Sequence, residues 1–332
     1  MTSRERSRFA LTVCVASAFL ADCGGSQPPI GAPGAMPQTS AIATHAERGK
    51  SWMLPGTKSE DLLYVTNYSE VLVFRYPQGK LVGTLKGFVS AVGECVDSKG
   101  NVFITNYNPV TVYEYAHGGS KPIAQFPTKK AGTQGCAINP VNGDLAITGQ
   151  TSYVELYKGA DPNSKPAVLQ DKGMFYGQYC TYDDKGNLFF DGINPKENQR
   201  LSELPAGATK FSEIKVKAHF DEEASIQWDG KYVTALSYVP WKGAHRRPEL
   251  FQFHIVNNAR GTKVGQVPLG PPAIEIVQYF IAHGTAAVPN LRASSGQNST
   301  VLLYKYPAGG SPYMTITKRI TDARGVVLSP AQ

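Results

Sequence analysis

Apolar and polar residues alternate with a period of two along most of this chain, and glycine punctuates the alternation. The stretches VYEYAHGGSKPIAQF (Val112 to Phe126) and LLYKYPAGGSPYMTI (Leu302 to Ile316) share one layout. Each is an alternating run ending in Tyr, then a Gly turn, then a second run. The same Tyr/Leu-x-x-Gly turn occurs at YPQG, YAHG, LYKG, LPAG and YPAG, with Gly79, Gly118, Gly159, Gly207 and Gly309 spaced by 39, 41, 48 and 102. The last gap is two periods, which places a drifted copy near Leu250 to Val267. A second turn series interleaves with the first. Its glycines, Gly100, Gly143, Gly186, Gly230 and Gly284, lie 43, 43, 44 and 54 apart, and the first four sit in turns that contain Asp or Asn. Those residues tolerate the positive φ of a tight hairpin.

Two hairpins, or four strands, therefore fit in each period of about 45 residues, the sequence signature of a propeller blade. The pattern predicts an all-β chain: a six-bladed β-propeller of four-stranded antiparallel blades. Five blades are expected near 92–126, 134–170, 177–216, 224–267 and 274–320. Residues 62 to 85 hold only three strands, and Arg324 to Pro330 matches the missing inner strand. The C-terminal strand is thus expected to close blade 1, leaving no unpaired edge. One domain, 61–332, follows.

The N-terminus reads as an export signal over 1–22. Arg4, Arg6 and Arg8 precede the apolar run Phe9 to Ala21, of a length suited to a secretory segment. The sequence LADCGG resembles a bacterial lipobox, which implies a lipid anchor on Cys23; Asp22 stands where that pattern has a small residue. The alternative is cleavage after Ala18 or Ala21 and release. Residues 23–60, rich in Gly, Pro, Ala and Ser, read as a flexible tether between membrane and domain. The chain is expected in the cell envelope as a monomer.

Composition changes this picture little. Of 332 residues, 42% are apolar and 18% charged, enough for a sizeable core, and the net charge is +7. The basic residues are scattered, with no stripe interleaved with aromatics, so a nucleic-acid partner is not expected. The basic segment Val239 to Pro248, VPWKGAHRRP, reads as a projecting insertion, either solvated or a partner contact. Trp228 and Trp241 read as packing between blades.

The repeat motif, as in GECVDSKGNVFIT and YCTYDDKGNLFF, resembles the NHL and SMP-30/gluconolactonase-like six-bladed propellers, including those of exported bacterial lipoproteins. That resemblance implies an architecture more than an activity. It also implies one specific chemistry. Lactonases of that type hold a divalent cation at the channel mouth through Glu, Asn and Asp oxygens, and the cation polarises a carbonyl or activates water. Candidate donors here are Glu94, Asn106, Asp191 and Glu223, for Ca²⁺ or another divalent cation. Asn106 recurs with Asn67 at one repeat position (ITNY, VTNY), which favours a strand-capping role.

No His-Glu-x-x-His, Gly-x-Ser-x-Gly or Gly-rich phosphate loop occurs, so no catalytic residue is assigned. His117 and His283 read as exposed turn residues. The leading expectation is a non-catalytic binding module without a cofactor, whose ligand is an envelope protein or carbohydrate. Glu94, Gln178, Tyr179, Gln227 and Gln278 are candidates to line the channel mouth. Convergent oxygen ligands there would favour the hydrolase; apolar side chains and Gln would favour binding.

Cys95, Cys136 and Cys180 fall on inner strands of consecutive blades. Cys136 and Cys180 share a face, whereas Cys95 faces oppositely. A Cys95–Cys136 disulfide fits an exported chain; three buried thiols are the alternative.

Overall fold

The structure is a computed structural model that describes residues 49–331, apart from 221–224, 241–245, 257–259, 272, 274 and 292–298. Among the described residues it contains twenty-three strands and two single-turn 3₁₀ segments. The signal segment, Cys23, Trp241 and Glu223 lie outside the described residues. All strand pairings but one are antiparallel, and residues 91–127, 135–170, 176–216, 226–268 and 280–316 each hold four consecutive paired strands. These are called the second to sixth repeats below. The strand Ala323–Ser329 pairs with the first half of Leu62–Arg75, Leu63 facing Leu328 and Val65 facing Val326, and so joins the two chain ends in the first repeat.

Hydrogen bonding does not divide the repeats into six separate sheets. It gives four, of seven, four, eight and four strands. Two causes are visible. The strands Leu62–Arg75 and Lys80–Val96 bend without breaking, so that each pairs with a different neighbour along its two halves. Tyr68, at a left-handed φ of 61°, marks the bend in the first. At the other fusion, the outer strands Ser212–Val216 and Arg260–Pro268 pair in parallel, which covers two edges that would otherwise stay open.

The folded region starts earlier than the expected residue 61. Trp52–Met53 pairs with Thr84 and Gly83, and the Ser51 hydroxyl accepts from the Lys86 amide at 2.8 Å. Residues 50–60 therefore belong to the domain, not to a tether.

The apolar core lies between repeats. Second strands are buried on both faces: Val102–Asn106, Leu145–Thr148 and Thr285–Asn290 are buried at every position. Outer strands such as Pro122–Pro127 are mostly exposed. One cluster joins Leu62, Tyr64 and Val71 to Ile104 and Tyr115, another joins Phe103 and Phe126 to Ile147 and Tyr157. Each fully buried Phe or Leu contributes about 1.5–3 kcal/mol, so the inter-repeat faces carry the fold.

Close approach at the centre needs inner strands without side chains. A Cβ on Gly93 would stand 2.2 Å from the Gln134 carbonyl oxygen, and one on Gly325 2.3 Å from that of Val92. At one position of the second strands, Thr66, Thr105 and Thr148 stitch the inner strands. Thr105 Oγ1 donates at 3.1 Å to the Gly93 carbonyl of its own repeat, with a longer contact to Gln134 of the next. Thr66 Oγ1 reaches the Val92 carbonyl and Thr148 Oγ1 the Gln178 carbonyl, across one repeat boundary each. The motifs VTN, ITN and AIT carried this signal, unread in the sequence.

Candidate functional site

The inner strands surround a depression of about 250 Å³ at the end of the channel. Its wall is mixed: Val96, Ile138, Ile226, Trp228 and Phe280 supply apolar and aromatic surface, and Thr181, Asp184 and two glutamines supply polar surface. These residues come from inner strands near their turns, and Ile226 and Trp228 share one face of a strand by alternation.

Three of the five expected mouth residues, Glu94, Gln227 and Gln278, border this depression, but the two glutamine amides are committed to backbone. The Gln278 amide clamps the backbone of Glu94: its Oε1 accepts from the Glu94 N–H at 2.9 Å and its Nε2 donates to the Glu94 carbonyl at 2.7 Å. Gln227 does the same for Ile281, at 2.6 and 3.1 Å. Each amide thus acts as a short piece of backbone between inner strands that do not pair directly. Gln178 and Tyr179 lie away from the depression, both buried; Gln134 Nε2 donates to Gln178 Oε1.

The Glu94 side chain is 1% exposed, and neither carboxyl oxygen has a hydrogen-bond partner. Burial holds its pKa well above the ordinary carboxylate value, because desolvation disfavours the charged form. Asn106 is committed elsewhere. Its Oδ1 accepts from the Val89 and Ser90 amides at 3.0 and 3.2 Å, and its Nδ2 donates to the Pro109 carbonyl. Asn67 caps likewise, accepting from the Thr321 and Asp322 amides. Asp191 Oδ1 accepts from the Tyr179 amide at 2.8 Å. Among the described residues, no three His, Cys, Asp or Glu side chains come together in a group able to hold a metal ion.

Cys95 and Cys136 are joined by a disulfide, with Cα atoms 5.7 Å apart, linking the second and third repeats beside the depression. Cys180 is a buried thiol whose pKa burial pushes up to about 12. His283 is exposed in its turn. His117 is not: it is 4% exposed and bonds Ser329 Oγ at 2.6 Å and the Glu60 carbonyl at 3.1 Å. Its two partners come from distant parts of the chain, which is why its turn position misled.

One repeat position also slips. The LYKG turn aligns Glu155 with Glu114 and Glu203, yet Tyr157, not Leu156, pairs with Leu145, as Tyr115 pairs with Val102. A one-residue slip reverses the face of a strand side chain. Glu155 consequently points to a loop, where its Oε1 accepts from the Lys129, Lys130 and Ala131 amides. Glu114 and Glu203 keep the other face.

No protein-family model matches the chain, and no curated protein does. Among solved structures, it is similar to a chain in the crystal structure of a nidogen/laminin complex. The TM-score is 0.61 at 13% identity, over 82% of this chain and 99% of that one. Likeness at that identity shows the fold alone, that of a β-propeller.

Proposed function

We propose that this chain is an exported, lipid-anchored propeller of six four-stranded blades, akin to the NHL and SMP-30-like group. On this reading each of the two larger sheets is two blades run together. It acts in a bacterial cell envelope as a non-catalytic binding module for a protein or carbohydrate, seated at the channel mouth. The observation that carries this reading is the lining of the depression. It is a concave wall of aromatic and aliphatic side chains mixed with polar ones, and the two amides beside it are consumed by backbone clamps. Concave sites hold ligands by burying them against aromatic and aliphatic walls, with polar contacts setting orientation. The hydrolase alternative would need oxygen donors converging on one site, and Asn106 is spent on capping while burial disfavours the charged form of Glu94.

A photo-crosslinking residue placed at Phe280 of the full chain, in its own envelope, tests this. A discrete adduct from Phe280 is expected, and none from the same residue at Val168 on an outer strand. Equal labelling at both, or none at Phe280, would overturn the reading.

A further inference from the structure

A second cavity, of about 340 Å³, lies between the fourth and fifth repeats. Phe189, Trp228 and Ile255 form apolar walls, and Glu203 and Asp183 supply acid. Glu203 is 1% exposed, and its Oε2 has no hydrogen-bond partner; the buried Trp228 Nε1 has none either. A buried carboxyl with an unused oxygen is costly unless something meets it.

The neighbours explain why nothing within the chain does. In the second repeat Asn101 Nδ2 donates to both Asp97 and Glu114, at 3.1 and 3.0 Å. In the fourth, Asn187 Nδ2 donates to Asp183 at 2.8 Å, and its Oδ1 accepts from the Ala206 amide at 3.0 Å. Asp183 is itself satisfied by the Lys185 and Asn187 amides. Of the buried acids Asp183 and Glu203, Glu203 is the one with an oxygen that has no partner.

We propose that this cleft binds a primary alkylammonium group, the ε-amino end of a lysine side chain, with Glu203 as its counter-ion. One free carboxyl oxygen is too few for a metal ion, which needs several. It suits an ammonium, a compact donor on an apolar stem. The stem would lie along Phe189 and Ile255, and the Trp228 ring offers a face that attracts cations. The titratable groups around the cleft are Asp183, Asp184, Glu203 and Lys185 on one repeat and Lys231 and His254 on the next. The site goes beyond the channel-mouth reading and does not depend on it.

Protonation gives the site a pH signature. Burial first, and Asp183 second, push the Glu203 pKa up to about 7. A bound cation favours the ionised form, so binding takes a proton off Glu203 and strengthens as pH rises through that value. Affinity should be about tenfold weaker at pH 6 than at pH 8.

The test titrates the full chain with Nα-acetyl-lysine methylamide and follows the Trp228 indole N–H resonance by NMR. The Nε-acetylated analogue, which is neutral, serves as the paired probe. A saturable shift with the amine, at least tenfold weaker with the acetylated analogue, is expected. Glu203→Gln should weaken it about tenfold or more at pH 8, and Glu114→Gln should leave it unchanged. No saturable shift in the wild type, equal binding of the two probes, or full binding by a folded Glu203→Gln chain would each overturn the proposal. A failed Phe280 crosslink would bear on the channel mouth alone.

Discussion

The boundary between the second and third repeats and the boundary between the fourth and fifth start from one motif, Asp-x-Lys-Gly-Asn followed by a third-strand Glu. They end in different states. At the first, a disulfide joins the inner strands, and Asn101 bridges Asp97 and Glu114 into one hydrogen-bonded group. At the second, no covalent link crosses, Asn187 turns its carbonyl to Ala206, and Glu203 is left buried with an unused oxygen. The contrast shows how a repeat divides its labour. In one copy the Asp-Asn-Glu group is closed by hydrogen bonds, and in the other it leaves a buried oxygen without a partner.

The largest effect should come from removing the covalent lock. The Cys95→Ser/Cys136→Ser chain opens a loop with a sequence separation of 41. Loop-closure entropy puts the loss at about 4 kcal/mol. Denaturant unfolding at pH 7 reads it, and a loss under about 1 kcal/mol would mean that the repeat interfaces hold this boundary without the disulfide.

The next effect has the opposite sign. The folded state keeps the Glu203 proton up to about pH 7, whereas the unfolded chain releases it near 4.5. Native protein therefore binds more protons between those values, and this group lowers stability as pH rises through them. Glu203→Gln should leave stability unchanged near pH 4.5 and raise it by roughly 2–3 kcal/mol at pH 8. Comparing the variant with the wild type at both pH values isolates Glu203 from Glu94, which burial shifts the same way. A loss of stability at pH 8 would show that the carboxylate is satisfied in the folded chain.

The smallest effect converts one boundary toward the other. Asn101→Ala removes the amide that opposes burial and Asp97 in setting the Glu114 pKa, already above its ordinary value. That pKa should rise further, and stability should fall by about 1 kcal/mol. An NMR titration of Glu114 checks the first and a thermal melt the second; an unchanged pKa would dissolve the contrast drawn between Asn101 and Asn187.

Much of the architecture was legible because the cues are local. Gly100, Gly186 and Gly230 occupy positive φ in the turns that their Asp-containing motifs mark. The period of two set which residues share a face, including the opposite facing of Cys95 and Cys136. The pairing of Ala323–Ser329 with Leu62–Arg75 was readable as well, because an incomplete repeat at one end matched a spare strand at the other. The site was less legible. Gln227 and Gln278 were recognised as central, but their use as backbone clamps depends on the distance between inner strands. Glu203 went unnoticed; the recurrence of Glu four residues before Gly118, Gly159 and Gly207 was the available sign.

Alternation and turn chemistry act within a few residues of themselves, so strands, turns and repeat order could be read from the chain alone. Satisfaction of a buried polar group depends on what another segment brings within hydrogen-bond reach. Three glutamates at matching places in the motif illustrate this. Asn101 reaches Glu114, a loop at 129–131 wraps Glu155 after a one-residue slip, and nothing reaches the remaining oxygen of Glu203. Desolvation is uniform in sign, but its compensation is set by packing at ångström scale. Packing of that kind exists only once the repeats have closed against one another.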